Sequence, residues 1–202
     1  WGVFPAFGLG VDITKYVSIP KVDQLKFRAG FGVTGSLPGQ NGLAQDLYTF
    51  NRNTGNTNFA RNANPDLKWE QKEETNIGLD FGLFGKLTGS IDYFVRDIKD
   101  FVLERDVDPA VFVSGRRTEN VGSLRTSGLE IALNYSAINV GQVTWNPGLV
   151  IGTNQTELTS FFNNRFITGN FGSPGQNGTP FNLVEVGQKL GTIWGPVYDG
   201  VT

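Results

Sequence analysis

Cysteine, histidine and methionine are all missing from the 202 residues of this sequence. Without cysteine there is no disulfide framework and no thiol nucleophile, and without histidine the commonest metal ligand and general base are missing too. Charged residues make up 18% of the chain, below the usual quarter, and the net charge is −2. Because there is also no basic cluster, the composition argues against nucleic-acid binding. No stretch reaches the roughly 18 apolar residues of a membrane-spanning helix.

Glycine and aromatic residues, by contrast, are abundant. The chain has 27 glycines, and Phe, Trp and Tyr together make up 12% of it. No helical period accompanies them, so the composition predicts an all-β fold. Patterned sequence continues to both ends of the chain, and we therefore expect it to be part of a longer protein.

The clearest pattern lies between Thr75 and Val102. Bulky, mostly apolar residues occupy the odd positions from 75 to 83, and the even positions hold Asn76, Gly78, Asp80 and Gly82. After a turn at Gly85-Lys86 the alternation resumes, which predicts a β-hairpin because successive strand residues face opposite sides. The polar face carries Gly, Asn, Asp and Ser, as a transmembrane strand does on its lumen side. A half-buried soluble strand fits the period equally well.

The same alternation recurs along the chain and gives about six antiparallel, up-and-down strands. They are predicted at 3–14, 25–34, 75–83, 87–96, 129–136 and 143–154. Short connections at 15–24, 85–86 and 138–142 alternate with long ones, rich in Asn, Gly and Pro, at 36–66, at 109–117 and from 158 onward. Outer-membrane barrels have short periplasmic turns and long extracellular loops, so the asymmetry favours a membrane barrel. Six strands cannot close a barrel that needs about 8, so further strands are expected to complete the sheet.

Several motifs together resemble the barrel of SusC/RagA-type TonB-dependent outer-membrane transporters. They are Phe27-Arg-Ala-Gly-Phe-Gly-Val-Thr-Gly35, Asn64-Pro-Asp-Leu-Lys-Trp-Glu70, Thr75-Asn-Ile-Gly-Leu-Asp-Phe-Gly-Leu-Phe84, Gly89-Ser-Ile-Asp-Tyr-Phe94, Asn120-Val-Gly-Ser-Leu-Arg-Thr-Ser-Gly-Leu-Glu130, and the 187–200 stretch with Trp194-Gly and Tyr198-Asp-Gly. The resemblance covers nearly the whole chain and keeps the order of the family, which makes it specific where one motif alone would be weak.

The resemblance implies a large barrel of about 22 strands in the outer membrane, plugged by an N-terminal domain. Such transporters import glycans or peptides into the periplasm, driven by the TonB complex of the inner membrane and capped by a SusD-like surface lipoprotein. Residues 1–202 would then be about six strands of the barrel domain, in contact with outer-membrane lipid. The plug and the segment that contacts the TonB complex are absent from the chain. The resemblance implies neither an enzymatic activity nor a cofactor.

Aromatic residues of the long loops are the candidates for substrate contact, because sugar rings stack on aromatic faces and barrel mouths bind ligands. The candidates are Tyr48, Phe50, Trp194 and Tyr198. The alternative is that these rings fold the loops, since large loops need small cores of their own. Trp69 and Trp145 lie beside strand ends and are predicted to belong to an interfacial aromatic girdle.

Three carboxylates, Asp80, Asp92 and Glu130, fall on the polar strand faces. A glycoside hydrolase would need two such groups across a cleft. Pairing with Lys26, Arg28 or Arg96 explains them more simply, and no serine nucleophile elbow accompanies them.

Two hypotheses from different classes remain open. The first is a SusC-like nutrient importer, and the second is a secreted or surface all-β module that binds carbohydrate. They differ in the fate of the apolar strand face, which meets lipid in a barrel and forms a buried core in a sandwich. The residues that decide between them are Ile77, Leu79, Phe81, Ile91, Leu129, Ile131 and Leu149.

Overall fold

The computed structural model describes residues 2–39, 41–136, 138–163, 165–172, 178–196 and 200, and most of them lie in strands. The strands are β1 (Ala6–Asp12), β2 (Val22–Ser36), β3 (Leu47–Phe50), β4 (Thr57–Arg61), β5 (Glu70–Leu83), β6 (Leu87–Asp106), β7 (Arg116–Tyr135), β8 (Ile138–Val140), β9 (Val143–Trp145), β10 (Gly148–Phe161), β11 (Arg165–Phe171), β12 (Thr179–Glu185) and β13 (Thr192–Ile193). A 3₁₀ turn, Ile13–Lys15, follows β1. Nowhere in these residues does the chain form a helix long and apolar enough to cross a membrane.

Six strands form the main sheet, in the order β1-β2-β5-β6-β7-β10. The predicted antiparallel all-β fold is thereby confirmed. Each strand of the main sheet pairs with the main-sheet strand that comes before it in the sequence. Three smaller sheets accompany it: β11-β12-β13, β3-β4 and β8-β9. The main sheet is open, and β1 and β10 are its edges.

The first strand pair shows how the two faces arise. In the antiparallel register of β1 and β2, Phe7 pairs with Phe31 and Leu9 with Ala29. The intervening pairs place Gly8 opposite Gly30, Gly10 opposite Arg28 and Asp12 opposite Lys26. Because opposed residues share a face, one face of the pair is apolar and the other is bare or charged.

The chain divides into two compact units. Unit 1 comprises Trp1–Thr34, Glu73–Asp97 and Arg125–Glu157, and it contains the connections 13–21, 84–86 and 136–147. Of its apolar strand residues, Ile77 is 46% exposed and Leu149 is 51% exposed, and Leu79, Phe81 and Ile131 are partly exposed. The described residues of unit 1 therefore leave the apolar strand face uncovered, as a lipid-facing surface requires.

Unit 2 comprises Gly35–Lys72, Ile98–Leu124 and Leu158–Thr202, and it contains the long connections. Leu43, Val121, Leu158 and Leu183 are buried in it, together with the polar side chains of Asn62 and Asn64. The long segments of unit 2 therefore share a small core with β7 and β10, which contribute Val121 and Leu158.

Several boundaries differ from the sequence predictions. Both β6 and β7 are 20 residues long, about twice the 9–11 residues that a tilted strand needs to cross a membrane. Their halves in unit 2 are charged on both faces and carry no apolar alternation, so periodicity missed them. In these halves, cross-strand ion pairs take the place of apolar side-chain contacts; they include Arg105 with Glu119 and Arg116 with Glu104.

The predicted strand over 143–154 was wrong, because the structure divides it into β9 and β10. Pro147 lies at the break, where its lack of an N–H removes a ladder hydrogen bond. The predicted turn at 138–142 instead contributes β8, which pairs with β9. The hairpin turn between β5 and β6 is centred on Phe84-Gly85, one residue earlier than predicted, and both residues have positive φ.

Candidate functional site

Arg28 binds two carboxylates on the polar face of unit 1. Its Nε and Nη2 donate to the two carboxylate oxygens of Asp80, each at 2.8 Å. The same Nη2 donates to Oδ1 of Asp92, also at 2.8 Å. The expected pairing of these carboxylates with a polar-face cation is confirmed, and both acids are engaged structurally.

Gly78 makes this arrangement possible. In the sheet order β2-β5-β6, Arg28 must reach across β5 to meet Asp92 on β6. It crosses at Gly78, where an added Cβ would overlap Oδ1 of Asp92 and lie 2.8 Å from Cζ of Arg28. The Arg28 side chain therefore crosses β5 in the space that a side chain at position 78 would fill.

Two other predicted charges have different outcomes. Arg96 does pair on this face, with its Nε 2.8 Å from Oε2 of Glu74. Among the described residues, however, Glu130 makes no ion pair, and the pairing predicted for it was wrong. Glu130 lies on β7, and two strands, β5 and β6, separate β7 from the β2 residues Lys26 and Arg28.

Replacing Arg28 with glutamine should lower the free energy of unfolding by about 1 kcal/mol, because Asp80 and Asp92 would keep like charges without their cation. This loss of stability is small because the three side chains are partly exposed and water screens their charges. Arg125→Gln is the matched control, since Arg125 donates two hydrogen bonds to the carboxylate of Asp97 at an exposed position. The urea midpoint of the folded protein should fall for the first variant and barely move for the second. Equal shifts would contradict the bridging role.

A polar network in unit 2 holds the base of the first long loop, and the sequence predictions did not foresee it. Asn64 is 6% exposed; its Nδ2 donates to the carbonyl of Thr118 at 2.8 Å. Its Oδ1 accepts from Nη2 of Arg117 at 3.1 Å and from the backbone N–H of Asp66 at 3.2 Å. The Asn64 backbone N–H donates to the carbonyl of Leu43 at 2.7 Å. Both polar side-chain atoms of this asparagine, which opens one of the resemblance motifs, are thus hydrogen-bonded.

Two further asparagines, Asn62 and Asn120, belong to the same network. Asn62 donates to the carbonyl of Arg116 at 2.8 Å. Asn120, which opens another motif, accepts from the backbone N–H of Lys68 at 2.8 Å and donates to its carbonyl at 3.0 Å. The side chains of three asparagines therefore join segment 62–68 to segment 114–120, in place of a backbone ladder. The two-residue spacing of Asn62 and Asn64 was the signal in the sequence.

The structure describes three of the four candidate aromatic residues, and their role in substrate contact stays a prediction. Tyr48 packs edge to face against its cross-strand partner Phe59, with ring centroids 5.2 Å apart, so it helps to fold the hairpin β3-β4. Phe50, at the end of β3, is exposed. Trp194 is 46% exposed, and the guanidinium of Arg165 lies 5.7 Å from its ring centroid. Tyr198 lies outside the described residues.

Trp69 and Trp145 are both exposed, and their place in an aromatic girdle stays a prediction. Within the described part of the chain, no group of three or more Asp and Glu side chains is arranged to hold a metal ion. Within the described residues, unit 1 thus has one apolar and one polar strand face, and unit 2 presents a few exposed aromatic rings.

Comparison with known proteins bears directly on this architecture. Residues 1–194 match the family model described as TonB dependent receptor-like, beta-barrel. The TonB-dependent receptor SusC of Bacteroides thetaiotaomicron is 33% identical over 177 residues, which are 79% of this chain and 17% of SusC. A TonB-dependent receptor of Formosa agariphila is 28% identical over 96% of this chain and 18% of its own length.

Solved structures agree with the sequence relatives on the fold. The RagAB peptide importer in its closed-closed state superposes with a TM-score of 0.76 at 23% identity, covering 91% of this chain and 20% of that one. The chain spans about a fifth of the length of the relatives that it matches. It therefore belongs to the TonB-dependent receptor β-barrel family of outer-membrane proteins, and its main sheet is part of such a barrel.

Proposed function

We propose that this chain forms part of the barrel wall of a SusC-like transporter that imports glycans or peptides across the outer membrane. Transport needs no covalent chemistry: the substrate binds at the extracellular mouth, the plug moves, and the substrate is released to the periplasm. The chain contributes the lipid-facing wall and several loops of the mouth. We assign it no enzymatic activity.

The observation that carries this proposal is the open apolar face of the main sheet. In a carbohydrate-binding sandwich, Ile77, Leu129 and Leu149 would have to be covered by a second sheet. All three are exposed within the described residues, whereas the buried leucines, Leu43, Leu158 and Leu183, belong to unit 2. An apolar face of this extent is stable in lipid and unfavourable in water, which argues against the secreted module.

The proposed partners follow from the same assignment. A SusD-like surface lipoprotein would cap the extracellular mouth, and the TonB complex would supply energy through a plug domain. An oligosaccharide or a peptide would be the substrate. The name of SusC, a TonB-dependent receptor, supports the TonB complex as a partner. The name of RagAB, a peptide importer, supports a peptide as one of the two possible substrates.

Two measurements on the full-length protein test the proposal. Membrane fractionation should recover it in the outer membrane, extractable only with detergent and with a gel mobility that shifts on boiling. A strain lacking the gene should lose growth on one class of oligosaccharide or peptide and regain it with the gene restored. Recovery as a detergent-free soluble protein would reject the transporter and favour the secreted module.

Trp194→Ala should weaken uptake at low substrate concentration about tenfold, which corresponds to about 1.4 kcal/mol of binding. The reason is that a partly exposed indole, with the Arg165 guanidinium over its ring, offers an aromatic surface and a cation to a sugar ring or a peptide side chain. Ile193→Ala is the control, because Ile193 is the adjacent residue, is more exposed than Trp194 (77% against 46%) and has no aromatic face. Initial uptake rates of labelled substrate, compared at equal amounts of folded protein, measure the effect. Equal rates in both variants would assign Trp194 to loop folding.

A further inference from the structure

An apolar crease lies on the open face of unit 1. It has a volume of about 380 Å³, and its walls include Phe7, Leu9, Phe31 and Ile77. Ala29 forms part of its floor, since it pairs with Leu9 across β1 and β2 while the neighbouring pair is Phe7 with Phe31. A small side chain between large ones lowers the surface locally. The crease is therefore a shallow, open depression in the apolar face.

The strands that line the crease end in two cationic connections. β1 and β2 are joined by residues 13–21, which carry Lys15 and Lys21, and β5 ends in the turn that carries Lys86. The backbone N–H of Phe84 donates to the carbonyl of Lys21 at 3.0 Å, which ties the two connections together. All three lysines are exposed, and within the described structure none of them has an ion-pair partner.

The carboxylates near these lysines accept hydrogen bonds from backbone N–H groups. Asp12 accepts from the backbone N–H of Thr14 at 3.2 Å, and Asp23 accepts from the backbone N–H of Gly85 at 2.5 Å. Their carboxylates cap turns, whereas the lysine ammonium groups stay available to an external anion. The connection 136–147 adds no charged residue.

The turn itself carries an unusual aromatic residue. Phe84 has a φ of 58° and Gly85 a φ of 64°, a two-residue turn in which Asn-Gly is the usual pair. A left-handed conformation is costly for a bulky residue, yet the phenyl ring is 62% exposed. Tyr16 in the neighbouring connection is exposed as well. Aromatic rings beside lysines are the arrangement that favours a lipid headgroup region.

We propose that the crease and these lysines bind one anionic phospholipid. Its phosphate lies between Lys15 and Lys21, and one acyl chain occupies the crease over Ala29. The dimensions agree, because Leu9 lies three residues, about 10 Å, from the end of β1. Short turns of outer-membrane barrels face the periplasm, so the lipid belongs to the periplasmic leaflet. The proposal depends on the barrel and not on the imported substrate.

Native mass spectrometry of the delipidated full-length transporter in detergent tests the proposal. Dioleoylphosphatidylglycerol should bind more tightly than dioleoylphosphatidylcholine. The double variant Lys15→Gln/Lys21→Gln should weaken phosphatidylglycerol binding by about 25-fold, at about fivefold for each lysine, and leave phosphatidylcholine unchanged. Ala29→Phe should fill the crease and weaken both lipids. A boiling-dependent gel shift verifies that every variant is folded.

Two controls match these variants. Lys189→Gln removes an exposed lysine of unit 2, and Val150→Phe adds a ring at an exposed apolar position outside the crease. Neither should change lipid binding. Equal affinity for both lipids, or unchanged phosphatidylglycerol binding in the double lysine variant, would overturn the headgroup site. Unchanged binding in Ala29→Phe would overturn the acyl-chain site, as would displacement of the lipid by inorganic phosphate alone.

Discussion

Replacing Asn64 with alanine should lower the free energy of local opening of segment 62–68 by about 3 kcal/mol. The variant loses the bonds to Thr118, Arg117 and Asp66, and it leaves the carbonyl of Thr118 without its partner. It also deprives the half-buried guanidinium of Arg117 of one acceptor, although Glu119 and the carbonyl of Ala63 still bind it. Backbone amides that depend on the network should exchange hydrogen roughly 150-fold faster in deuterium-exchange mass spectrometry.

Asn58→Ala is the matched control for this experiment. Asn58 lies on the exposed strand β4 of the same long connection, and its carbonyl, which accepts from Thr49, survives the substitution. Its exchange rates should stay within about twofold of the parent, as expected for a surface substitution. If Asn64→Ala changed exchange no more than this control, the asparagine network would not hold the loop base.

Gly122→Ala should destabilise the folded protein by about 3 kcal/mol. A Cβ at this position would overlap the backbone carbonyl of Ser160 and lie 3.0 Å from Cα of Phe161. Both obstacles are backbone atoms, so the neighbouring strand itself would have to move. That strand contributes the hydrogen bond from the Phe162 N–H to the Val121 carbonyl, at 2.9 Å, which we expect to be lost.

Gly152→Ala separates this steric effect from the general cost of changing a strand glycine. A Cβ at Gly152 would meet only Cγ of Glu130, at 3.8 Å, which is an ordinary contact. This variant should be neutral or slightly stabilising, because alanine reduces the entropy of the unfolded chain. The urea midpoint of the boiling-sensitive folded form measures both variants. A similar loss in the two would show that close strand approach at Gly122 is not the cause.

The strands that the sequence predicted well are those with one apolar and one bare face. In β5 the alternation of Ile77, Leu79 and Phe81 with Gly78 and Asp80 sufficed to find the strand and its faces. The charged halves of β6 and β7 were missed because side chains such as Arg105 and Glu119 give no apolar period. Their strand structure depends on pairing with each other, which a single segment does not display.

The candidate site was predicted less completely. Loop aromatics could be chosen by residue type, but not their partners: Tyr48 packs on Phe59, and the Arg165 guanidinium lies over the Trp194 ring, while both aromatic residues stay partly exposed. Residue type alone does not predict these partners, because both rings occur in polar, glycine-rich segments. Only the folded loop determines which aromatic faces remain free.

By itself, the sequence determined the all-β fold, the two-faced strands and the family, because a period of two and ordered motifs are properties of the chain. The tertiary structure decided which residues meet: Arg28 with Asp92 across Gly78, and Asn64 with Thr118 and Arg117. The physical reason is that alternation fixes the face of a side chain within its strand. The register and order of the strands, which bring distant side chains together, are set by the whole sheet.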